Sequence, residues 1–288
     1  MKVELVSPQG FCAGVMNAIK IAYKAKKENP DHNVYVLGAL VHNQTVIDEL
    51  SNNHIITLEG KDEISLIDQL KKDDVLIFTA HGHNPKLDEI ALLKGLKIYD
   101  ATCPKVKNNM DKIKSEIDAG HQVIYIGQNG HKETNAALSI SNNVSFYDTK
   151  LLINYQLITD ESPFVINQTT LNFLSLDDIH KDIKKHIPKA RIENEICAAS
   201  RLRQNAILNI AKDTDLIIIV GDKSSSNSVK LFEIAKSNFP DSLVLMVHDL
   251  KDLKNNYDFS NKKKAAISSG ASTPNYVVNE IFEYLINK

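Results

Sequence analysis

Three cysteines, Cys12, Cys103 and Cys197, are the residues best placed to do chemistry, and they divide the 288 residues into near-equal thirds. Gly10-Phe11-Cys12-Ala13-Gly14 sets two glycines beside the first sulfur, which suits a backbone that must come close to a ligand. Thr102-Cys103-Pro104 and Ile196-Cys197-Ala198 read as helix N-termini, where the dipole lowers a thiol pKa. A single cysteine is most often an inert core residue. Three in matching contexts could instead share one inorganic centre. Zinc accepts three thiolates and can keep a fourth position for water. Iron–sulfur clusters also take thiolates, usually four, so three would leave one iron of a cubane open to a substrate oxygen. The chain has no closely spaced cysteine pair of the zinc-finger kind. Composition alone leaves zinc and iron open.

The second set of candidates lies in polar turns. They offer His42, His81, His131, Ser225, Ser226, Asn227 and Ser272, together with several expected helix N-termini. Such donors, together with backbone N–H groups at helix N-termini, form an anion site without an arginine clamp, and phosphate or diphosphate is the natural occupant. Glu133 is the carboxylate in these turns best suited to supply a proton, and Thr169 could orient it or a water. His83 is ambiguous. His32, His54, His121, His180, His186 and His248 read as ordinary surface or strand-edge residues, and Asp222 as a solvated turn residue.

The elements that must position these residues repeat. Each cysteine follows an expected strand (Val3–Val6, Leu96–Tyr99, and more weakly Ala190–Ile192) and opens an expected helix. Each helix leads to an apolar strand and a polar turn: Val34–Gly38 before His42, Val123–Gly127 before His131, and Leu216–Gly221 before Ser225. A further strand and polar turn complete each third: Val75–Phe78 before His81, Pro163–Ile166 before Thr169, and Ala265–Ile267 before Ser272. This is a repeat of structure rather than of letters. Alternating strands and helices predict parallel sheets covered by helices, with the chemistry at the carboxyl ends of strands. The expected fold class is α/β, with three pseudo-repeated domains: residues 13–97, 98–192, and 193–288 joined by the N-terminal strand 1–12.

Composition narrows the classes. Net charge is −2, so a general electrostatic nucleic-acid binder falls in rank. No apolar run approaches the ~20 residues that span a bilayer. Met1–Val6 carries Glu4 and does not read as a secretory signal. Three cysteines do not make a disulfide framework, and a reducing, cytoplasmic setting fits them best. Gly221-Asp222-Lys223-Ser224 has the wrong spacing for a phosphate-binding loop, and Gly127-Gln128-Asn129-Gly130 lacks the dinucleotide pattern.

Gly10-Phe11-Cys12-Ala13-Gly14-Val15, Val41-His42-Asn43, Ala80-His81-Gly82, Asp100-Ala101-Thr102-Cys103-Pro104, Gly130-His131-Lys132-Glu133, Gln168-Thr169-Thr170-Leu171, Ile196-Cys197-Ala198, Ser224-Ser225-Ser226-Asn227-Ser228 and Gly270-Ala271-Ser272 together resemble the 4-hydroxy-3-methylbut-2-enyl diphosphate reductase (IspH/LytB) family. These motifs run through nearly the whole chain. The resemblance implies a trefoil of three α/β domains around a central [4Fe-4S] cluster with an open iron. It implies reductive dehydroxylation of the hydroxylated diphosphate to isopentenyl and dimethylallyl diphosphate, the last step of the non-mevalonate isoprenoid pathway. By the same resemblance Cys12, Cys103 and Cys197 would hold the cluster. His42, His81, His131, Thr169, Ser225, Ser226, Asn227 and Ser272 would bind substrate. Glu133, Thr169 and His131 would be catalytic, and an external ferredoxin or flavodoxin would supply electrons. The residues after Cys197 (Ala198-Ala199-Ser200-Arg201) and after Gly82 (His83-Asn84) depart from the family's commonest forms, and the chain resembles a minimal member. The alternatives are a cluster-dependent hydro-lyase that needs no electrons, a zinc hydrolase acting on a phosphorylated substrate, and a non-enzymatic iron–sulfur sensor or scaffold.

Overall fold

The computed structural model describes residues 1–149 and 154–287. Contacts divide the chain into two compact units. One comprises Met1–Val15, His42–Val46 and Cys197–Lys288; the other comprises Met16–Val41 and Ile47–Ile196.

The first unit is built on one four-stranded sheet, ordered β1 (Lys2–Leu5), β12 (Lys264–Ser269), β10 (Leu216–Val220), β11 (Leu243–Val247). Every pairing is parallel, and the N-terminal strand lies against β12 with Lys2 opposite Lys264. β10 reads Leu-Ile-Ile-Ile-Val and is buried along its whole length. Such a run without polar alternation marks a strand covered on both faces. Ile218 and Val220 pack with Val278, Ile281 and Leu285 of α11 (Asn275–Ile286). Ile217 and Ile219 pack on the other side with Ile207 of α8 (Ala198–Leu208) and with Leu231 and Ile234 of α9 (Ser226–Asn238). Each fully buried aliphatic side chain contributes about 1.5–3 kcal/mol relative to exposure.

The second unit carries two more parallel sheets. One is ordered β3 (Ile55–Leu58), β2 (Val34–Leu37), β4 (Val75–Phe78), β5 (Lys97–Asp100); the other β7 (Val144–Asp148), β6 (Val123–Gly127), β8 (Phe164–Asn167), β9 (Arg191–Ile192). All three sheets share one plan. The strand leading to a cysteine (β1, β5, β9) is the edge. Beside it lies the strand leading to the second polar turn (β12, β4, β8), then the strand leading to the first (β10, β2, β6). A further edge strand closes the sheet (β11, β3, β7). The α/β class with parallel sheets expected from sequence is therefore what the chain adopts. Among the described residues no helix is long and apolar enough to cross a membrane.

Helix approach to the strand ends is set by small residues. Gly221 follows β10, and a Cβ there would lie 2.4 Å from Ser228 Oγ of α9. Gly127 ends β6 and stands in the same relation to Thr134 Oγ1, also 2.4 Å. Larger residues at these two positions would push the helix N-termini, and the polar turns they carry, away from the sheet edges.

Candidate active site

Each cysteine sits at the start of a helix on the carboxyl side of a strand. Cys103 and Cys197 are the N-cap residues of α5 (Pro104–Asp118) and α8, with nearly the same backbone angles, φ −57° with ψ 131° and φ −57° with ψ 134°. Cys12 immediately precedes α1 (Ala13–Glu28), and its Sγ accepts a hydrogen bond from Val15 N at 3.5 Å. All three are reduced cysteines, outside any disulfide, of intermediate exposure. Two are tied to the polar turn of the adjacent strand. Cys12 N donates to Ala271 O and Cys103 N donates to Ala80 O, both at 3.0 Å. Each bond fixes a thiol-bearing backbone beside a predicted donor, Ser272 in the first unit and His81 in the second. Gly10 takes the left-handed conformation (φ +72°) next to this turn, and a Cβ would overlap the Asn275 side chain.

In the first unit the serine turn is the N-terminus of α9. Ser225 is its N-cap and accepts from Ser228 N through Oγ at 3.4 Å. Ser226 and Asn227 form the first turn and are buried. Both amide atoms of Asn227, which is only 6% exposed, lack a hydrogen-bond partner among the described residues. A buried amide in that state costs about 1–3 kcal/mol until something bonds it. Ser272 Oγ donates to His42 O at 3.0 Å, which joins two predicted substrate residues in one network. Asn43 Oδ1 accepts from Val46 N at 3.3 Å and so starts α2 (Gln44–Asn52). Asp222 is a turn builder, accepting from Ser224 N and Oγ.

The second unit holds the carboxylate. Glu133 lies in the first turn of α6 (Lys132–Leu138), is 1% exposed, and is bonded at both oxygens. Thr169 N and Tyr125 Oη donate to Oε1, at 2.9 and 3.2 Å, and Thr169 Oγ1 donates to Oε2 at 2.8 Å. Burial pushes the Glu133 carboxyl up to about 7, against the Thr169 and Tyr125 bonds that favour the ionised form. His131 caps the same helix, its Nδ1 accepting from Glu133 N at 3.2 Å. That bond leaves Nε2 as the protonated nitrogen of a neutral ring, a donor rather than an acceptor. His81 meets His131 edge to face, with ring centroids 5.9 Å apart. His83 is a structural residue. Its ring stacks on Phe78 at 3.6 Å, and Nε2 bonds Asp88 at 2.9 Å.

Among the described residues, no three His, Cys, Asp or Glu side chains are gathered as ligands of a single ion would be. The profile of the LytB protein family matches residues 3–286. The chain belongs to that family. It is 36% identical over 296 residues to a 4-hydroxy-3-methylbut-2-enyl diphosphate reductase of Malacoplasma penetrans, covering 100% of this chain and 98% of the relative. It is 34% identical over 287 residues to the reductase of the same name from Geobacillus thermodenitrificans, covering 99% of this chain and 90% of the relative. Among solved structures it superposes on the E-1-hydroxy-2-methyl-but-2-enyl-4-diphosphate reductase of Plasmodium falciparum with a TM-score of 0.88 at 28% identity, covering 100% of this chain and 88% of that one. A second solved reductase, described as the terminal enzyme of the non-mevalonate pathway, matches with a TM-score of 0.70 at 28% identity over 100% of both chains.

Within this LytB-family chain, sequence reasoning overlooked three buried polar residues. Tyr125 lies in β6, whose continuous buried run marks it as a core aromatic, and nothing announces its hydroxyl partner. Gln168 accepts from Gln128 N at 3.0 Å and from Thr134 Oγ1 at 3.3 Å, locking the turn after β8 to α6; its signal was its place beside Thr169. Arg203 is 3% exposed in α8, although an arginine in a polar helical stretch reads as solvated.

Proposed function

We propose that the protein is a [4Fe-4S]-dependent 4-hydroxy-3-methylbut-2-enyl diphosphate reductase. It would remove the allylic hydroxyl as water, with two electrons and two protons, and yield isopentenyl and dimethylallyl diphosphate. Family membership and the protonatable Glu133 support this reading, and Glu133 is the observation that carries it. Cys12, Cys103 and Cys197 would hold the cluster. The residues present suit it: each is a reduced, partly accessible cysteine at a helix N-terminus, and cysteine sulfur is the ligand such clusters take. When bound, the cluster would supply electrons singly and an open iron as Lewis acid for the substrate hydroxyl.

The chain's own residues would bind the diphosphate and deliver the proton. His42, His81, Ser225, Ser226, Asn227 and Ser272 would hold the diphosphate, with the α9 N-terminus adding backbone donors. His131 would donate from Nε2. Oε1 of Glu133 already accepts two hydrogen bonds, whereas Oε2 accepts one, from a hydroxyl that can turn. The acidic proton therefore belongs on Oε2. Thr169 Oγ1 can accept it while offering its own proton outward, so Thr169 would relay Glu133's proton to the departing oxygen. A carboxyl titrating near 7 is both protonated often enough and acidic enough for that task. A reducing cytoplasm and an external ferredoxin- or flavodoxin-type donor complete the proposal.

Anaerobic purification with iron, sulfide and zinc analysis, then incubation with the hydroxylated diphosphate and dithionite, tests it. Iron and sulfide with reductant-dependent formation of both products is the expected result. Turnover without reductant would point to a hydro-lyase, and zinc in place of iron to a hydrolase; either overturns the proposal.

A further inference from the structure

Among the described residues Arg203 is the one buried arginine, and its surroundings are unusual. Nη2 donates to Gly10 O at 2.5 Å, and Nη1 to Ala199 O at 3.2 Å. Gly10 lies two residues before Cys12, and Ala199 two residues after Cys197. One guanidinium thus clamps the two cysteine-bearing segments of the first unit. Among the described residues Nε is buried without a hydrogen-bond partner, and no carboxylate offsets the charge of Arg203. Burial pushes its pKa down, while the Cys12 and Cys197 sulfurs, as thiolates, push it back up. Arginine stays protonated in proteins, so this is a buried positive charge without a protein anion beside it other than those two sulfurs. Isolated buried charge is costly unless a counter-charge arrives.

We propose that Arg203 is a positioning residue that supplies the electrostatic complement to the cluster and raises its reduction potential. This rests on the cluster reading above. Three thiolates leave an oxidised [4Fe-4S] cluster with net negative charge, and each added electron makes it more negative. A fixed cation therefore stabilises the reduced form more than the oxidised one. Net charge and hydrogen bonding around the sulfurs are the protein's usual means of setting such potentials. Because the guanidinium does not titrate, reduction would take up no proton at this residue.

The test is an anaerobic potentiometric titration of the cluster, followed by electron paramagnetic resonance, in wild type, R203K and R203M. R203M should move the reduction equilibrium at least tenfold toward the oxidised form, about 59 mV for one electron. R203K keeps the charge and should stay close to wild type. An unchanged potential in R203M, or an equal fall in both variants, overturns the proposal. If R203M takes up no cluster, the potential is read in R203Q beside R203K: a fall in R203Q alone supports the proposal, and no fall or an equal fall in both overturns it. If both fold but neither takes up a cluster, the backbone clamp is the whole role and the proposal fails. Iron and sulfide analysis of the wild type separates these outcomes from failure of the cluster reading itself.

Discussion

Two buried polar regions, one in each unit, are finished to different degrees. Around Glu133 both carboxylate oxygens are bonded, by Thr169 twice and by Tyr125 once. At the first turn of α9, Asn227 is nearly as deep, and neither amide atom has a partner. The first region is complete in the unliganded protein: its charge state is tuned by burial and its geometry is held by a strand end. At the second, the described residues offer Asn227 neither a donor nor an acceptor. A proton-delivering group profits from being built in advance, since its geometry must not wait on the substrate. A binding group can carry an unmet hydrogen bond, because the ligand then recovers that cost on arrival.

The sharpest way to break this contrast is E133Q. Glutamine keeps the shape and can still accept from Thr169 N, but it carries no acidic proton. Turnover should fall on the order of 10²–10⁴-fold with little change in KM, read by anaerobic steady-state kinetics. Wild-type-like turnover would remove Glu133 from proton delivery and leave its burial unexplained.

Next in size is a pH effect on stability. In the unfolded chain Glu133 titrates near its ordinary 4.5, and in the folded protein near 7. Between those values the native state binds the extra proton, so stability is full below pH 4.5, falls as pH rises toward 7, and then levels off. The difference in pKa corresponds to a loss on the order of 3 kcal/mol. E133Q should lack this component, so denaturant titrations from pH 4.5 to 8 should show wild type losing stability relative to the variant. Parallel curves would mean that the carboxyl is not shielded as its burial indicates.

The same contrast explains what was legible in the sequence. Strands β4, β6 and β10 announce themselves because both faces are covered and the letters are apolar throughout. The cysteines could be placed at helix starts because local rules decide N-termini: Pro104 is tolerated in the first turn, and glycine permits the Gly10 bend. Edge strands β3 and β7 carry neither cysteine nor polar turn and mix buried with half-exposed positions, so a reading organised by chemistry passed over them. The Glu133–Thr169 pairing was legible only as a suggestion, since it joins residues on different turns. Tyr125 and Arg203 were illegible for a common reason. Their roles come from tertiary partners, and Arg203 reaches Gly10 across 193 positions of chain.

The smallest expected effect sharpens the other side of the comparison. N227L replaces the unmet amide with an apolar group of similar size. The unliganded protein should become more stable by about 1–3 kcal/mol, because a buried polar group without partners is removed. Affinity for inorganic diphosphate, measured by calorimetry, should fall about ten- to a hundredfold, the value of a hydrogen bond to a charged group. These opposite signs are the discriminating feature, since a residue that merely packs would lose stability on substitution and leave diphosphate binding alone. A destabilised N227L with wild-type affinity would make Asn227 a structural residue and move recognition to the serines around it.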